Sequence, residues 1–236
     1  MIITLIIIIK VAPDTNQGKE MEFFDRVKAI LVNPKEEWII IEAENTPHSK
    51  VFAGYLLILA LIPAITIFIS YVWKWFSAVS GFVGFFDSPY LKYVIIGAFQ
   101  PTVIILGGVY LSAFAINAFS EQFGSAKDLS RTFSLVAYSY TPLCVAGLLN
   151  IFNPLAFLVP FVGLYGFFLL YIGVESLLKP AADKKIVCII ISLIAVIAVW
   201  VILSNVVPAI FKSILTEMAK SNAGNMLKDF EKMIPR

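Results

Sequence analysis

The sequence predicts an all-α membrane protein, a bundle of five transmembrane helices preceded by N-terminal amphipathic helices. Of its 236 residues, 59% are apolar and only 14% are charged, whereas about a quarter of a soluble domain is charged. The mean hydropathy is +0.87. A soluble fold of this length has too little interior to bury so much apolar surface, so the bilayer is the expected solvent.

Five apolar runs are each long enough to cross the membrane as a helix, which takes about 20 residues. Strands of a membrane barrel would be about 10 residues long and would alternate polar with apolar side chains, and these runs do neither. Across all five runs Glu175 is the only formally charged residue. The predicted spans are 51–73, 93–119, 132–152, 155–178 and 186–211.

Two amphipathic helices are predicted ahead of the first span, within residues 21–50. Apolar side chains recur there at helical spacing, and Asn33-Pro34 separates the two helices because both residues suit a helix start. We expect both helices to lie on the cytoplasmic membrane surface. A candidate docking surface for a partner is formed there by Phe23, Phe24 and Trp38.

The two ends of the chain are expected to contribute no folded domain. Residues 1–20 are predicted to be a disordered extension or a mis-assigned start, since Met21 stands directly before the first patterned helix. Residues 212–236 are predicted to form a polar C-terminal tail. Outside the five-span membrane domain, residues 51–211, no segment is long enough for an ordinary soluble domain.

Basic residues in the short loops predict the orientation of the bundle. With the N terminus inside, five basic residues lie in the cytoplasmic loops and two in the opposite loops. They are Lys127, Arg131, Lys179, Lys184 and Lys185 against Lys74 and Lys92. The C-terminal segment opposes this count, because its basic residues would then lie outside. We expect a cytoplasmic N terminus.

Polar side chains within the spans form a second candidate site. Gln100 and Asn117 lie in the second predicted span, and a polar cluster lies in the third. Such groups are expected to point into the bundle and to bond across helices. The alternative is a substrate or ion path lined by their hydroxyls and amides. The candidate intramembrane residues are Gln100, Asn117, Tyr138, Tyr140, Thr141, Pro142 and Glu175.

Glu175 is the one acidic residue of this candidate site, and an acid inside a membrane is unfavourable enough to suggest a function. It lies close to the predicted cytoplasmic end of its span, and Lys179 follows four residues later. Because this spacing suits a pair on a helix surface, an interfacial ion pair is expected, with a proton or cation role as the alternative. Close helix contact is permitted in the same span by Gly163, Gly166 and Gly173.

The residue patterns of catalysis and cofactor binding are missing from the sequence. His48 is the one histidine, and no Walker loop, HExxH or CxxC motif occurs. The spans hold no aspartate for an intramembrane aspartyl protease. We therefore expect no enzyme activity, no cofactor and no metal. The net charge of +2 predicts no nucleic-acid binding.

Three short sequence motifs lie in a characteristic order. AYSYTP occupies 137–142, GLYGFFLLYIGVESLLKP occupies 163–180, and NPKEEWIIIEAE at 33–44 lies just ahead of the first span. Together they resemble the Yip domain family, the Ypt/Rab-interacting membrane proteins, over about residues 22–211. The resemblance implies a five-helix bundle with a cytoplasmic N terminus and supplies no catalytic residues. In eukaryotic members it implies contacts with Rab-type GTPases and with other Yip proteins.

The N-terminal region departs from those relatives. The Asp-Leu-Tyr-Gly-Pro type motif and most of the longer region that carries it are missing, which argues against a Rab-type GTPase as a partner and favours a bacterial-type member. The resemblance therefore implies a bacterial cytoplasmic membrane as the location, with an ER or Golgi membrane as the alternative. The expected partners are the lipid bilayer and either a second copy of the chain or other membrane proteins.

Two functions follow from these features. The leading one is a non-enzymatic membrane protein that organises or binds other membrane components. The alternative is a small transporter, channel or lipid-moving protein with a polar path through the bundle. A polar-lined cavity at mid-membrane depth would favour the alternative, whereas a packed bundle with an apolar outer groove would favour the first.

Overall fold

The computed structural model describes residues 23–79 and 89–233, and the regular secondary structure in these ranges is entirely helical. Within these two ranges, five helices are long and apolar enough to cross a membrane, which confirms the predicted fold class. We call them spans 1 to 5, in chain order: His48–Ser77, Leu91–Phe123, Leu129–Ile151, Pro154–Leu178 and Lys185–Lys220. Two shorter helices precede them, α1 at Phe23–Val32 and α2 at Pro34–Glu44.

Several spans are built from more than one helical segment. Span 1 comprises His48–Val51, a π turn at Phe52–Leu56 and Leu57–Val79; span 2 comprises Pro89–Phe119 and a 3-10 turn at Ser120–Phe123. Span 3 comprises Leu129–Ser139, Thr141–Ala146 and a 3-10 turn at Gly147–Ile151. Span 4 comprises a 3-10 turn at Asn153–Leu158, Val159–Gly163, Tyr165–Gly173 and a π turn at Val174–Leu178. Span 5 lies within one helix, Lys185–Met233.

The intramembrane prolines occupy two kinds of position. Pro142 and Pro160 lie at the start of new helical segments in spans 3 and 4, where the missing N–H removes no helical hydrogen bond. Pro63, Pro101 and Pro208 lie inside continuous helices. Spans 3 and 4 are therefore divided at these prolines, whereas the α-helices of spans 2 and 5 continue past theirs.

Span 3 forms the centre of the bundle. Every residue from Thr132 to Thr141 is buried. Hydroxyl groups connect the surrounding spans, since Thr66 Oγ1 donates to the Gly147 carbonyl over 2.8 Å and Thr102 Oγ1 donates to the Ala60 carbonyl over 2.9 Å. In hydrocarbon, where water cannot satisfy a polar group, these bonds fix the relative positions of the spans.

Helices α1 and α2 form an antiparallel hairpin that packs against spans 3 and 4. Ile30 and Trp38 are completely buried and Ile41 nearly so. The predicted apolar faces are therefore divided: Ile30, Trp38 and Ile41 face the bundle, whereas Phe24 and Ile39 stay exposed. For the three buried residues this corrects the expectation that the apolar faces of both helices rest on the membrane surface.

The helix of span 5 continues without a break to Met233. Residues 212–233, which the sequence suggested as part of a polar tail, extend this helix beyond the predicted end of the span. The predictions for residues 1–20, including the alternative start at Met21, lie outside the described residues.

Candidate functional site

A buried ion-pair cluster joins the two helices of the hairpin. The Arg26 guanidinium donates to the carboxylates of both Glu37 and Glu44, and the side chains of Arg26 and Glu37 are only 7% and 3% exposed. The same guanidinium lies over the ring of Tyr138, 5.9 Å from its centroid, within cation–π range. The cluster therefore binds α1 to α2 and attaches the hairpin to span 3.

The charges of this cluster depend on one another. Burial raises the pKa of the Glu37 carboxyl, and the Arg26 guanidinium offsets only part of that rise. Burial by itself would lower the pKa of Arg26, but the hydrogen bond to Glu44 and the nearby carboxylates raise it above the ordinary value. Removing one partner would leave an uncompensated buried charge and would therefore destabilise the fold more than replacing both partners together.

Tyr138 and Thr141, both predicted site residues, are brought together by a residue that the sequence reasoning missed. Tyr55 of span 1 packs against the Tyr138 ring with 4.6 Å between ring centroids. Its hydroxyl forms a 2.7 Å hydrogen bond with Thr141 Oγ1, in which either oxygen can donate. A tyrosine among the otherwise apolar residues 51–60 was the signal that could have identified it.

The other predicted polar residues do not join this cluster. Pro142 and Tyr140 are buried in span 3. The Tyr140 hydroxyl packs so closely against Gly108 that a Cβ there would lie 3.0 Å away. It interacts with Ser112, yet neither hydroxyl reaches hydrogen-bond geometry with a partner in the described structure. Gln100 and Asn117 lie on span 2 and are half-buried.

Glu175 pairs with a different lysine from the one expected. Its carboxylate is exposed and lies 2.7 Å from Nζ of Lys185, whereas Lys179 pairs with Glu42 of α2 over 2.5 Å. The expected pair requires a continuous α-helix from Glu175 to Lys179. The segment is instead a π turn, and Lys179 ends it in the left-handed conformation at φ 46°, which turns its side chain toward α2.

The predicted docking residues separate into three environments. Phe24 is 80% exposed, and Phe23 is half-buried against the Tyr55 ring, with centroids 5.5 Å apart. Trp38 is completely buried, which corrects its assignment to a docking surface. Its indole occupies the space left by Gly173, where a Cβ would lie 2.8 Å from the ring. Trp38 therefore anchors the hairpin to span 4.

A groove lies between spans 3, 4 and 5, at the depth of the middle of span 4. Its volume is about 340 Å³. Spans 3 and 4 approach each other beside it through their backbones, since a Cβ at Gly166 would lie 2.4 Å from the Ser139 carbonyl oxygen. Most of the lining is apolar and includes Leu143, Leu164, Phe167, Leu170, Val196 and Trp200, with Ser139 and Tyr140 as the polar exceptions.

The site residues carry little reactive chemistry. Within residues 23–79 and 89–233, no group of three or more His, Cys, Asp or Glu side chains is placed to hold a metal ion. Cys144 and Cys188 are free, buried thiols. The arrangement can bind apolar material in the groove and hold charge in the hairpin cluster.

A family model described as the Yip1 domain matches residues 28–203, about three quarters of the chain. No curated protein and no solved structure matches it. The matched range begins within α1 and ends within span 5, so it contains the groove and most of the hairpin. It gives no support to the bacterial-type assignment, which stays a prediction.

Proposed function

Because the chain belongs to the Yip1 domain family, we propose that it is a non-enzymatic membrane protein that binds and organises other membrane components through its bundle. The observation that carries this proposal is the groove between spans 3, 4 and 5. An apolar groove at hydrocarbon depth suits the apolar part of a membrane component and offers an aqueous solute little to bind.

The bonding of the polar groups also supports this function. Tyr55 and Thr141 satisfy each other, and the hydroxyls of Thr66 and Thr102 bond to backbone carbonyls of neighbouring spans. These groups stabilise the contacts between helices, as the average interhelical hydrogen bond does at about 0.6 kcal/mol. A transport path would instead require polar groups that face a water-filled passage.

Photocrosslinking in native membranes tests the proposal. A photoreactive residue at Leu164 reports on the groove, and one at Ile194 is a matched control, because both native side chains are 58% exposed and only Leu164 lines the groove. We expect the Leu164 probe to capture a discrete protein or lipid species, identified by mass spectrometry, that the Ile194 probe does not. Equal capture of bulk lipid at both positions would contradict the proposal.

The transport alternative has its own test. Flux across liposomes would be compared between the unmodified protein and the variants Tyr140→Phe and Glu175→Gln. A flux that either substitution reduces would favour a transporter, channel or lipid-moving protein. Unchanged flux in both variants would remove these two residues from any transport path.

A further inference from the structure

The α1–α2 hairpin is anchored along span 4 at successively greater depth. Glu42 near the end of α2 pairs with Lys179, which directly follows span 4. Four residues earlier in α2, Trp38 packs over Gly173. Both helices therefore run in the same direction, and α2 lies alongside span 4. Pro34, the first residue of α2, is the end of this helix farthest from Lys179.

The turn of the hairpin makes the deepest contact. The Leu31 carbonyl in the last turn of α1 accepts a 3.1 Å hydrogen bond from the Tyr165 hydroxyl. Tyr165 lies near the middle of span 4, which runs Pro154–Leu178. The hairpin therefore descends along the span and does not rest at its end.

The depth of the turn follows from helix geometry. Eight residues separate Pro34 from Glu42, and at about 1.5 Å per residue Pro34 lies about 12 Å deeper. Half of the hydrocarbon core is about 15 Å thick. Lys179 marks the membrane boundary because the charged loop between spans 4 and 5 starts there. The turn therefore lies at a depth that, around the rest of the bundle, is occupied by the acyl chains of the lipids.

Polar side chains occupy the outer face of the hairpin at this depth. Asn33, Lys35 and Glu36 are all exposed, and Asn33 Nδ2 donates to Glu36 Oε2. Val32 and Ile39, both 61% exposed, stand on either side of them. An exposed charge in dry hydrocarbon is strongly unfavourable. Local thinning of the bilayer and entry of water lower this free-energy cost.

We infer that headgroups and water of the leaflet on the N-terminal side enter beside the hairpin as far as residues 33–36, so that this leaflet is locally thinned. The partner is a zwitterionic phospholipid. Lys35 faces its phosphate and Glu36 its ammonium group, while Val32 and Ile39 contact acyl chains. The inference holds whichever component occupies the groove between spans 3, 4 and 5.

Nitroxide accessibility in phosphatidylcholine liposomes tests this inference. Labels are attached to cysteines at Asn33 and Ile194, one variant at a time, since the native Cys144 and Cys188 are buried. Ile194 is a control at matched depth, because nine residues separate Asn33 from Glu42 and Lys185 from Ile194, about 13 Å in each case. We expect the ratio of nickel-chelate to oxygen collisions to be several-fold higher at Asn33. Equal, oxygen-dominated ratios would overturn the inference.

A distance measurement excludes a hairpin that has left the bundle. Pulsed EPR in the same liposomes would compare the pair Asn33–Phe168 with the pair Asn33–Lys179. Phe168 lies beside Tyr165, with ring centroids 5.5 Å apart, so the embedded hairpin predicts the shorter distance to Phe168. A shorter distance to Lys179 would place the turn at the membrane surface and overturn the inference.

Removing the charges should let the lipid close over the turn. With a label at Asn33, the double variant Lys35→Leu/Glu36→Leu is expected to lower nickel accessibility toward the value at Ile194. Lys127→Leu, a change in an exposed loop, serves as the matched control and should leave it unchanged. Unchanged accessibility in the double variant would show that these two charges do not draw in the headgroups.

Discussion

Arg26 is the charged residue that joins the two helices of the hairpin to each other and to span 3. It is buried, it donates to Glu37 and Glu44, and it lies over the Tyr138 ring. A buried ion pair adds little stability over an apolar pair of the same shape, yet losing one partner leaves a desolvated charge. The position therefore tolerates the simultaneous change of both partners better than the loss of one.

Substituting Arg26 tests this interpretation. Arg26→Met should lower the free energy of unfolding by about 3–5 kcal/mol, and Arg26→Met/Glu37→Gln should recover part of the loss, measured by denaturant unfolding in detergent. Lys220→Met is the control, because its pair with Glu217 is exposed on both sides and such pairs contribute at most about 1 kcal/mol. A double variant that is no more stable than Arg26→Met would contradict the argument.

The pair between Glu42 and Lys179 should make stability depend on pH. The hydrogen bond from Lys179 lowers the pKa of Glu42. A carboxyl with a lowered folded pKa contributes stability above its unfolded pKa, about 4.3, and loses it as the pH falls through the folded pKa. Between about pH 6 and about pH 3, we expect the melting temperature to fall less in Lys179→Met than in the unmodified protein.

A matched comparison isolates this effect. The pKa of Glu37 is raised, so its contribution has the opposite sign: it is present at low pH and is lost as the pH rises. Because Glu37 is unchanged in Lys179→Met, the difference between the two acid curves reports Glu42. Lys127→Met, which alters an exposed loop lysine, should give the curve of the unmodified protein. Identical curves for all three proteins would show that the Glu42–Lys179 pair does not contribute to the pH dependence of the melting temperature.

At the scale of helices, the contact between spans 3 and 4 depends on a glycine. A Cβ at Gly166 would lie 2.4 Å from the Ser139 carbonyl oxygen, whereas nothing lies within 4 Å of a Cβ at Gly97. Backbone atoms cannot rotate away as a side chain can. Gly166→Ala should therefore lower the melting temperature, by the equivalent of about 1–3 kcal/mol for overpacking, while Gly97→Ala should leave it unchanged or raise it. Equal melting temperatures would contradict the close approach.

The N-terminal helices separate what a sequence pattern specifies from what it leaves open. The start of α2 at Pro34 agrees with the predicted break at Asn33-Pro34, because proline is compatible with the first helical position whatever surrounds it. The partner predicted for these faces, the membrane surface, was wrong for Ile30 and Trp38, which pack against the spans. Helical spacing specifies that Ile30 and Trp38 share a face with other apolar residues, but lipid and protein satisfy that face equally well.

At the scale of the molecule, the loops after spans 2 and 4 form one surface. The Ala181 N–H donates to the Phe123 carbonyl and Nζ of Lys184 donates to the Gln122 carbonyl, each over 3.0 Å. An odd number of spans places the chain before span 1 and the chain after span 5 on opposite sides. The surface formed by these loops is therefore on the N-terminal side of the bilayer.

Thiol labelling would check this arrangement. In sealed, oriented vesicles, an impermeant maleimide should react with cysteines placed at Lys127 and Lys184 from one side, and with a cysteine placed at Phe152 only from the other. Vesicles opened with detergent control for the reactivity of each thiol. Reaction of all three cysteines from the same side would contradict the five-span topology.

The sequence by itself determined the class of this protein, the number of its spans and the absence of recognisable catalytic motifs. Composition and the length and periodicity of the apolar runs decide these properties, because hydrocarbon admits only long apolar helices or closed barrels. Tertiary structure alone decided the contacts: Tyr55 with Thr141, Glu175 with Lys185, and the groove between spans 3, 4 and 5. A span that is apolar on all sides does not reveal which side faces its neighbours. Rotation about the helix axis is settled by packing between segments distant in sequence.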